Sequence, residues 1–173
     1  ARPAPHAYDI CGDDARCKAN AIDTWNRVQA VANAHNQPGR FTALIGYEFS
    51  SLLTEMGMLH RNVIFRGSDV IPHAISSLDV RNQKEFFDQL DAACIEPCKV
   101  LTIPHNTNYS WGLAFSRTDE DGSAYSSKDL ERRSQIERLF EVTQQKGTSE
   151  CQISVGASDE DCDYGIMFPP CKR

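Results

Sequence analysis

The sequence contains no apolar run long enough to cross a lipid bilayer and no excess of positive charge. A transmembrane helix needs about 20 consecutive apolar residues, and a nucleic-acid-binding surface is normally basic. The formal net charge is −6 at pH 7, with 40% hydrophobic and 24% charged residues. We therefore expect a globular domain with no membrane span and no nucleic-acid partner.

The common catalytic motifs are missing as well. The chain has no G-x-S-x-G, no Walker loop, no G-x-G-x-x-G and no H-E-x-x-H. These motifs mark serine hydrolases, nucleotide-binding proteins and zinc proteases. The remaining candidates for chemistry are single histidines, carboxylates and amides.

None of the seven cysteines forms the C-x-x-C spacing that is usual in structural zinc sites. Six of them form three pairs that are close in sequence: Cys11 with Cys17, Cys94 with Cys98, and Cys151 with Cys162. This pattern favours local disulfides over zinc and leaves the partner of Cys171 open. Disulfides predict an oxidising compartment, and hence a periplasmic or secreted protein.

Helices and strands are predicted to alternate along the chain. Helices are expected at 13–36, 82–94 and 128–139, and strands at 40–51, 59–67, 100–104 and 139–144. The strand RFTALIGYEFSS is almost continuously apolar, which is typical of a strand buried on both faces. The alternation predicts one α/β domain over residues 1–173, with a mainly parallel sheet and flanking helices.

Three residues near the ends of these strands are candidate metal ligands. Glu48 lies in an apolar strand, where a carboxylate must be paired, hydrogen-bonded or metal-bound. His60 lies at the start of the strand at 59–67, as its second residue, and His105 follows the strand at 100–104. The alternatives are a salt bridge from Glu48 to Arg61 or Arg66, and hydrogen-bonded structural roles for the histidines.

Taken together, Glu48, His60 and His105 match the ligand types of a hydrolytic site for a divalent metal. Imidazole and carboxylate suit zinc, manganese or iron, and two metals can share one bridging carboxylate. The sequence therefore predicts a metal cofactor.

Four further residues are assigned to the same predicted site. Asn106 and Asn108 follow the His105 strand and are expected to bind a small phosphorylated or otherwise anionic substrate. Glu141 and Lys146 are candidate catalytic residues. An ion pair with Lys146 or Arg138 is the alternative for Glu141.

Four segments together carry a resemblance to a known group of proteins: WNRVQAVANAHNQPGRFTALIGYEFSS, LHRNVIF, IPHNTN and FEVTQQKGTSE. They resemble a bacterial family of uncharacterised function within the PHP (polymerase and histidinol phosphatase) superfamily of metal-dependent phosphoesterases. The similarity runs from about Asp9 to about Tyr164. It implies a distorted (β/α)7 barrel with two or three divalent metals at the strand ends, in which Glu48 is the bridging carboxylate, His60 and His105 are later ligands, and Glu141 is a nearby acid.

The superfamily's other ligand motifs, H-x-H and D-x-H, do not occur in this sequence. The chain is therefore expected to be an internal fragment that needs the flanking segments of its own full-length protein for activity. The expected function is a metal-dependent hydrolase using metal-activated water. The alternatives are a non-catalytic, disulfide-stabilised binding module on the same scaffold, and a stable subdomain in which the ligand residues have no role.

Overall fold

The computed structural model describes residues 14–52, 57–110, 112–144 and 147–148. Its helices are α1 (Asp14–His35), α2 (Gln83–Ala93) and α3 (Ser127–Ile136). Its strands are β1 (Ile45–Leu52), β2 (Met58–Phe65) and β3 (Val100–His105), followed by the two-residue strands β4 (Thr143–Gln144) and β5 (Gly147–Thr148). Among these helices, none has the length and apolar character needed to span a membrane.

Strands β1, β2 and β3 form one sheet in that order, and both pairings are antiparallel. The predicted mainly parallel α/β sheet is therefore wrong, and the described residues do not form the (β/α)7 barrel that the resemblance implied. The reason lies in the connection between β1 and β2, which spans only residues 53–57. Parallel neighbours need a crossover of about a dozen residues or more, whereas antiparallel neighbours can be joined by a short turn.

One face of this sheet is packed and the other is open. Along β2, buried residues alternate with half-buried and exposed ones, as expected when one side of an antiparallel sheet faces solvent. Phe49 of β1 stacks on Phe86 of α2, with 4.1 Å between ring centroids. The prediction that β1 is buried on both faces is wrong, because α2 covers only one of them.

Specific hydrogen bonds define the helix starts and attach α1 to the rest of the domain. Asn82 caps α2 by accepting a hydrogen bond from the Glu85 amide at 2.8 Å, and a capping box begins α3 at Ser126. Helix α1 is anchored through Trp25, whose indole donates to the Ile71 carbonyl at 2.8 Å. Ile22 and Val28 of the same helix are exposed.

The strand predicted at 139–144 is largely absent. Only Thr143 and Gln144 pair there, in the small β4–β5 hairpin. Leu139 and Phe140 are exposed, and the Phe140 ring packs edge-on against Phe115 instead of entering the sheet. The segment that follows β3 contains two short 3-10 helices, Thr107–Tyr109 and Leu113–Phe115.

Candidate metal centre

The strand register places the three predicted ligands side by side. His60 of β2 is opposite Ser50 of β1 and also opposite His105 of β3. Glu48 lies two residues before Ser50, on the same side of the pleat. Because side chains alternate between the faces of a strand, Glu48, His60 and His105 all lie on the open face of the sheet.

The ligand atoms of these residues are close to one another. Glu48 Oε1 lies 2.9 Å from His60 Nδ1 and 3.5 Å from His105 Nε2. One donor atom from each side chain fits within a mutual distance of 4.8 Å. The Glu48 side chain is 47% exposed, whereas those of His60 and His105 are 14% and 11% exposed. The cluster therefore has two shielded imidazoles and one carboxylate that solvent can reach.

This donor set fits a divalent metal. Two imidazoles and one carboxylate are found in catalytic zinc sites that keep one position open for water, and the same types serve non-haem iron. His105 Nε2 is buried and makes no hydrogen bond to the described residues, although it lies near Glu48. A nitrogen in that environment gains a partner when a cation enters between the three side chains.

Polar neighbours on the open face support the cluster. Ser50 Oγ donates to Glu48 Oε1 at 3.1 Å, and Asn62 is exposed directly opposite Glu48. Asn62 also lines a shallow cavity of about 330 Å³ together with Leu44, Gly46, Tyr47 and Ile64. A larger cavity of about 500 Å³ lies beside the Cys94–Cys98 disulfide, and none of the three candidate ligands lines it.

The opposite face of the sheet carries a buried ion network. Arg61 is fully buried and donates to Glu137 at 2.9 Å and to Gln83 at 2.5 Å. Arg133 donates to the other Glu137 oxygen at 2.9 Å. Burial alone raises the pKa of Glu137, but attraction by the two arginines outweighs it and holds that pKa below its usual value. The proposed Glu48–Arg61 salt bridge is therefore wrong, because Arg61 faces the core.

Glu141 and Asn106 lie together at the end of β3. The backbone amide of Glu141 donates to the Pro104 carbonyl at 3.0 Å. Glu141 Oε2 accepts from the backbone amide of Asn106 at 3.4 Å and from Gln144 Nε2. Glu141 is not part of the three-residue ligand cluster. Its catalytic role stays a prediction.

The two asparagines differ in exposure. Asn106 is only 2% exposed, which does not favour direct substrate binding. Asn108 is exposed in the first 3-10 helix. Lys146, the other candidate catalytic residue, lies outside the described residues.

The structure contains the predicted Cys94–Cys98 disulfide, and Cys17 is also disulfide-bonded. Its predicted partner Cys11 lies outside the described residues, as do Cys151, Cys162 and Cys171. His35 ends α1, where its Nδ1 lies 3.0 Å from the Val31 carbonyl oxygen.

Sequence reasoning missed Ser50 as a neighbour of the ligands. The signal was available, because residues two apart on a strand share a face. The neighbouring carboxylates Asp119 and Glu120, which are far in sequence from the candidate ligands, were not predicted either. Asp119 is buried and accepts from the Tyr125 hydroxyl at 3.1 Å. Burial and the adjacent Asp119 raise the pKa of Glu120 to about 7.

The fold and the cluster define a small domain with an antiparallel sheet and a candidate site of two histidines and a glutamate on its open face. The family model described as Protein of unknown function (DUF3604) matches residues 3–172. The chain therefore belongs to this family. Comparison with curated proteins and with solved structures gave no match.

Proposed function

We propose that Glu48, His60 and His105 bind a divalent metal and that this centre serves a hydrolase. The observation that carries the proposal is the approach of three donor atoms, one from each strand of the sheet, to within 4.8 Å. Zinc, manganese and iron all accept this donor set. The resemblance to PHP-type phosphoesterases points to the same chemistry, and the antiparallel topology is no obstacle because one reaction recurs on different folds.

Each residue has a distinct task in this proposal. His60 and His105 supply ring nitrogens from positions with little exposure, and Glu48 supplies negative charge at the more exposed side. Ser50 holds one carboxylate oxygen of Glu48 through its 3.1 Å hydrogen bond. A bound divalent metal supplies Lewis acidity, which activates water and neutralises charge that develops on a substrate oxygen.

The proposed substrate is a small phosphate ester or another anionic ester. The net charge of −6 does not attract anions over long distances. The metal is then the local positive charge to which such a substrate binds. The exposed side of Glu48 and the neighbouring cavity at Asn62 leave room for it on the open face.

Calorimetric titration with zinc, manganese and ferrous iron tests the metal site. We expect one tight site in the wild type. Each of Glu48→Gln, His60→Ala and His105→Ala should lower the affinity by more than about 100-fold, which exceeds the usual effect of residues that only support ligands. The exposed residues His73 and Glu131 provide matched controls: His73→Ala and Glu131→Gln should bind as the wild type does. Equal binding by all five variants would refute the site.

Hydrolysis of p-nitrophenyl phosphate, with and without metal, tests the reaction. We expect turnover that depends on added metal and is lost in Glu48→Gln. Metal binding without turnover, in this chain and in a longer one that includes flanking sequence, would favour the non-catalytic binding module.

We also infer an extracytoplasmic location. The Cys94–Cys98 disulfide and the bonded Cys17 support it, because disulfides persist mainly in oxidising compartments. Alkylation of free thiols before and after reduction, on protein from its native host, tests this inference. Complete alkylation of the cysteines before reduction would contradict the inference.

A further inference from the structure

The two ring nitrogens of His105 have different surroundings. Nε2 faces Glu48 Oε1 at 3.5 Å, on the side of the candidate metal site. Nδ1 faces the side-chain amide of Asn106, with 3.4 Å between Nδ1 and Asn106 Nδ2. A histidine that ligates a metal through Nε2 carries its proton on Nδ1, and that proton needs an acceptor.

Asn106 is held firmly in this position. Its side chain is buried, and its backbone adopts the left-handed conformation, with φ of 54°. The backbone amide donates to Glu141 Oε2 at 3.4 Å, and the carbonyl accepts from the Tyr109 amide at 2.9 Å. Asparagine is one of the few residues other than glycine that tolerate this conformation. The backbone conformation therefore restricts the positions that the side-chain amide of Asn106 can occupy.

The amide of Asn106 has two orientations with opposite consequences for His105. With Nδ2 towards His105, Nδ1 must accept, so the proton lies on Nε2 and that nitrogen cannot ligate a metal. A 180° rotation of the amide instead presents Oδ1, an atom that is buried and has no hydrogen-bond partner among the described residues. Oδ1 then accepts from Nδ1–H, and the lone pair of Nε2 points towards Glu48.

We propose that Asn106 is a positioning residue that selects the metal-binding tautomer of His105 by accepting a hydrogen bond from its Nδ1. The inference rests on the proposed metal site. It gives Asn106 a role that agrees with its burial, in place of direct contact with substrate. Such supporting residues typically change metal affinity by 10–100-fold.

Two substitutions separate this role from simple packing. Asn106→Gly removes the amide but accepts the left-handed backbone without strain. Asn106→Asp keeps an acceptor and, when ionised, offers His105 no donor. The matched controls are Asn36→Gly and Asn36→Asp, at an exposed asparagine just after α1.

Zinc is the probe, and two readouts are combined: affinity by calorimetry, and the ring-nitrogen NMR shifts of His105 in protein labelled with ¹⁵N-histidine. We expect Asn106→Gly to bind zinc about 10–100-fold more weakly, Asn106→Asp to recover wild-type affinity or exceed it, and both controls to match the wild type. In the zinc-loaded wild type, the shifts should show a protonated Nδ1 and a ligated Nε2. Metal-free Asn106→Asp should already carry its proton on Nδ1, which tests the proposal even if the glycine variant fails to fold.

The outcomes also distinguish this proposal from the one on which it rests. If Asn106→Gly binds zinc as tightly as the wild type while His105→Ala does not, the positioning role is refuted and the metal site stands. The same holds if His105 ligates zinc through Nδ1. If the wild type binds no zinc, manganese or iron, both proposals fail.

Discussion

Glu137 should be one of the most sensitive positions in the protein. It accepts hydrogen bonds from Arg61 at 2.9 Å, from Arg133 at 2.9 Å and 3.2 Å, and from Thr102 at 3.2 Å. Arg61 is fully buried, and the Glu137 side chain is only 6% exposed. Glu137→Gln removes the one negative charge between two guanidinium groups and leaves both cations in the core.

Breaking a buried ion pair on one side costs about 3–5 kcal/mol, because the remaining charge is left uncompensated. The glutamine carbonyl still accepts one hydrogen bond, so we expect a loss of about 3 kcal/mol for Glu137→Gln. Domains of this size have a total free energy of unfolding of roughly 5–15 kcal/mol. The substitution should therefore shift the urea midpoint strongly without changing the slope of the transition.

The pH dependence of the wild type provides a second readout of the same network. The pKa of Glu137 is lower in the folded protein than its ordinary value of 4.5. The folded state therefore binds fewer protons, and stability falls as the pH drops below about 4.5 and through the folded pKa. Glu137→Gln should lack this part of the acid sensitivity.

Urea unfolding followed by circular dichroism at pH 7 measures the effect. Asp88→Asn is the control, because Lys84 and Asp88 form an exposed pair at 2.7 Å on α2, and such pairs contribute about 0–1 kcal/mol. A loss below about 1 kcal/mol for Glu137→Gln, comparable to that of the exposed pair, would refute the argument that this network anchors the fold.

Three further predictions concern stability. Gly46→Ala should destabilise the protein by about 1–3 kcal/mol in chemical denaturation, because an added Cβ would lie 2.8 Å from the Val63 carbonyl oxygen; unchanged stability would contradict that close approach. Thermal unfolding of the wild type should show stability falling as the pH rises from 4.5 to 7, because the folded-state pKa of Glu120 is about 7 and the folded protein therefore binds more protons than the unfolded one in this range. Glu120→Gln should remove this pH dependence, and an unaltered profile in that variant would contradict the prediction. Replacing Cys94 and Cys98 by alanine should cost about 2 kcal/mol for so short a loop, and a thermal midpoint equal to that of the wild type would show that the disulfide adds no stability.

Much of the secondary structure could be predicted from the sequence, because it depends on local patterns. Helix α2 was expected at 82–94 and occupies Gln83–Ala93, with Phe86, Phe87 and Leu90 buried. Helix α1 was also expected, and Trp25 is its one buried residue among the side chains that the structure describes. Periodicity gives the helix, whereas the partner that covers it depends on tertiary structure.

Helix–strand alternation predicts a parallel sheet, but the length of the connection decides the direction of β2 relative to β1. The connection at 53–57 is too short for a parallel crossover, and its length can be read from the sequence. The long connection between β2 and β3 contained no such signal. It includes α2 and still returns β3 antiparallel to β2, a result that length alone does not determine.

The candidate ligands come together for a different reason from the one on which the prediction relied. Parallel strands were expected to deliver Glu48, His60 and His105 to a common edge. Instead, an antiparallel register aligns His60 with His105 and places Glu48 two residues from the partner of His60. Residue types could therefore be read from the sequence, but their proximity depends on register. A one-residue shift of β2 would turn His60 into the core and Arg61 to the open face, so the buried Arg61–Glu137 pair that stabilises the fold also fixes the face on which the candidate ligands lie.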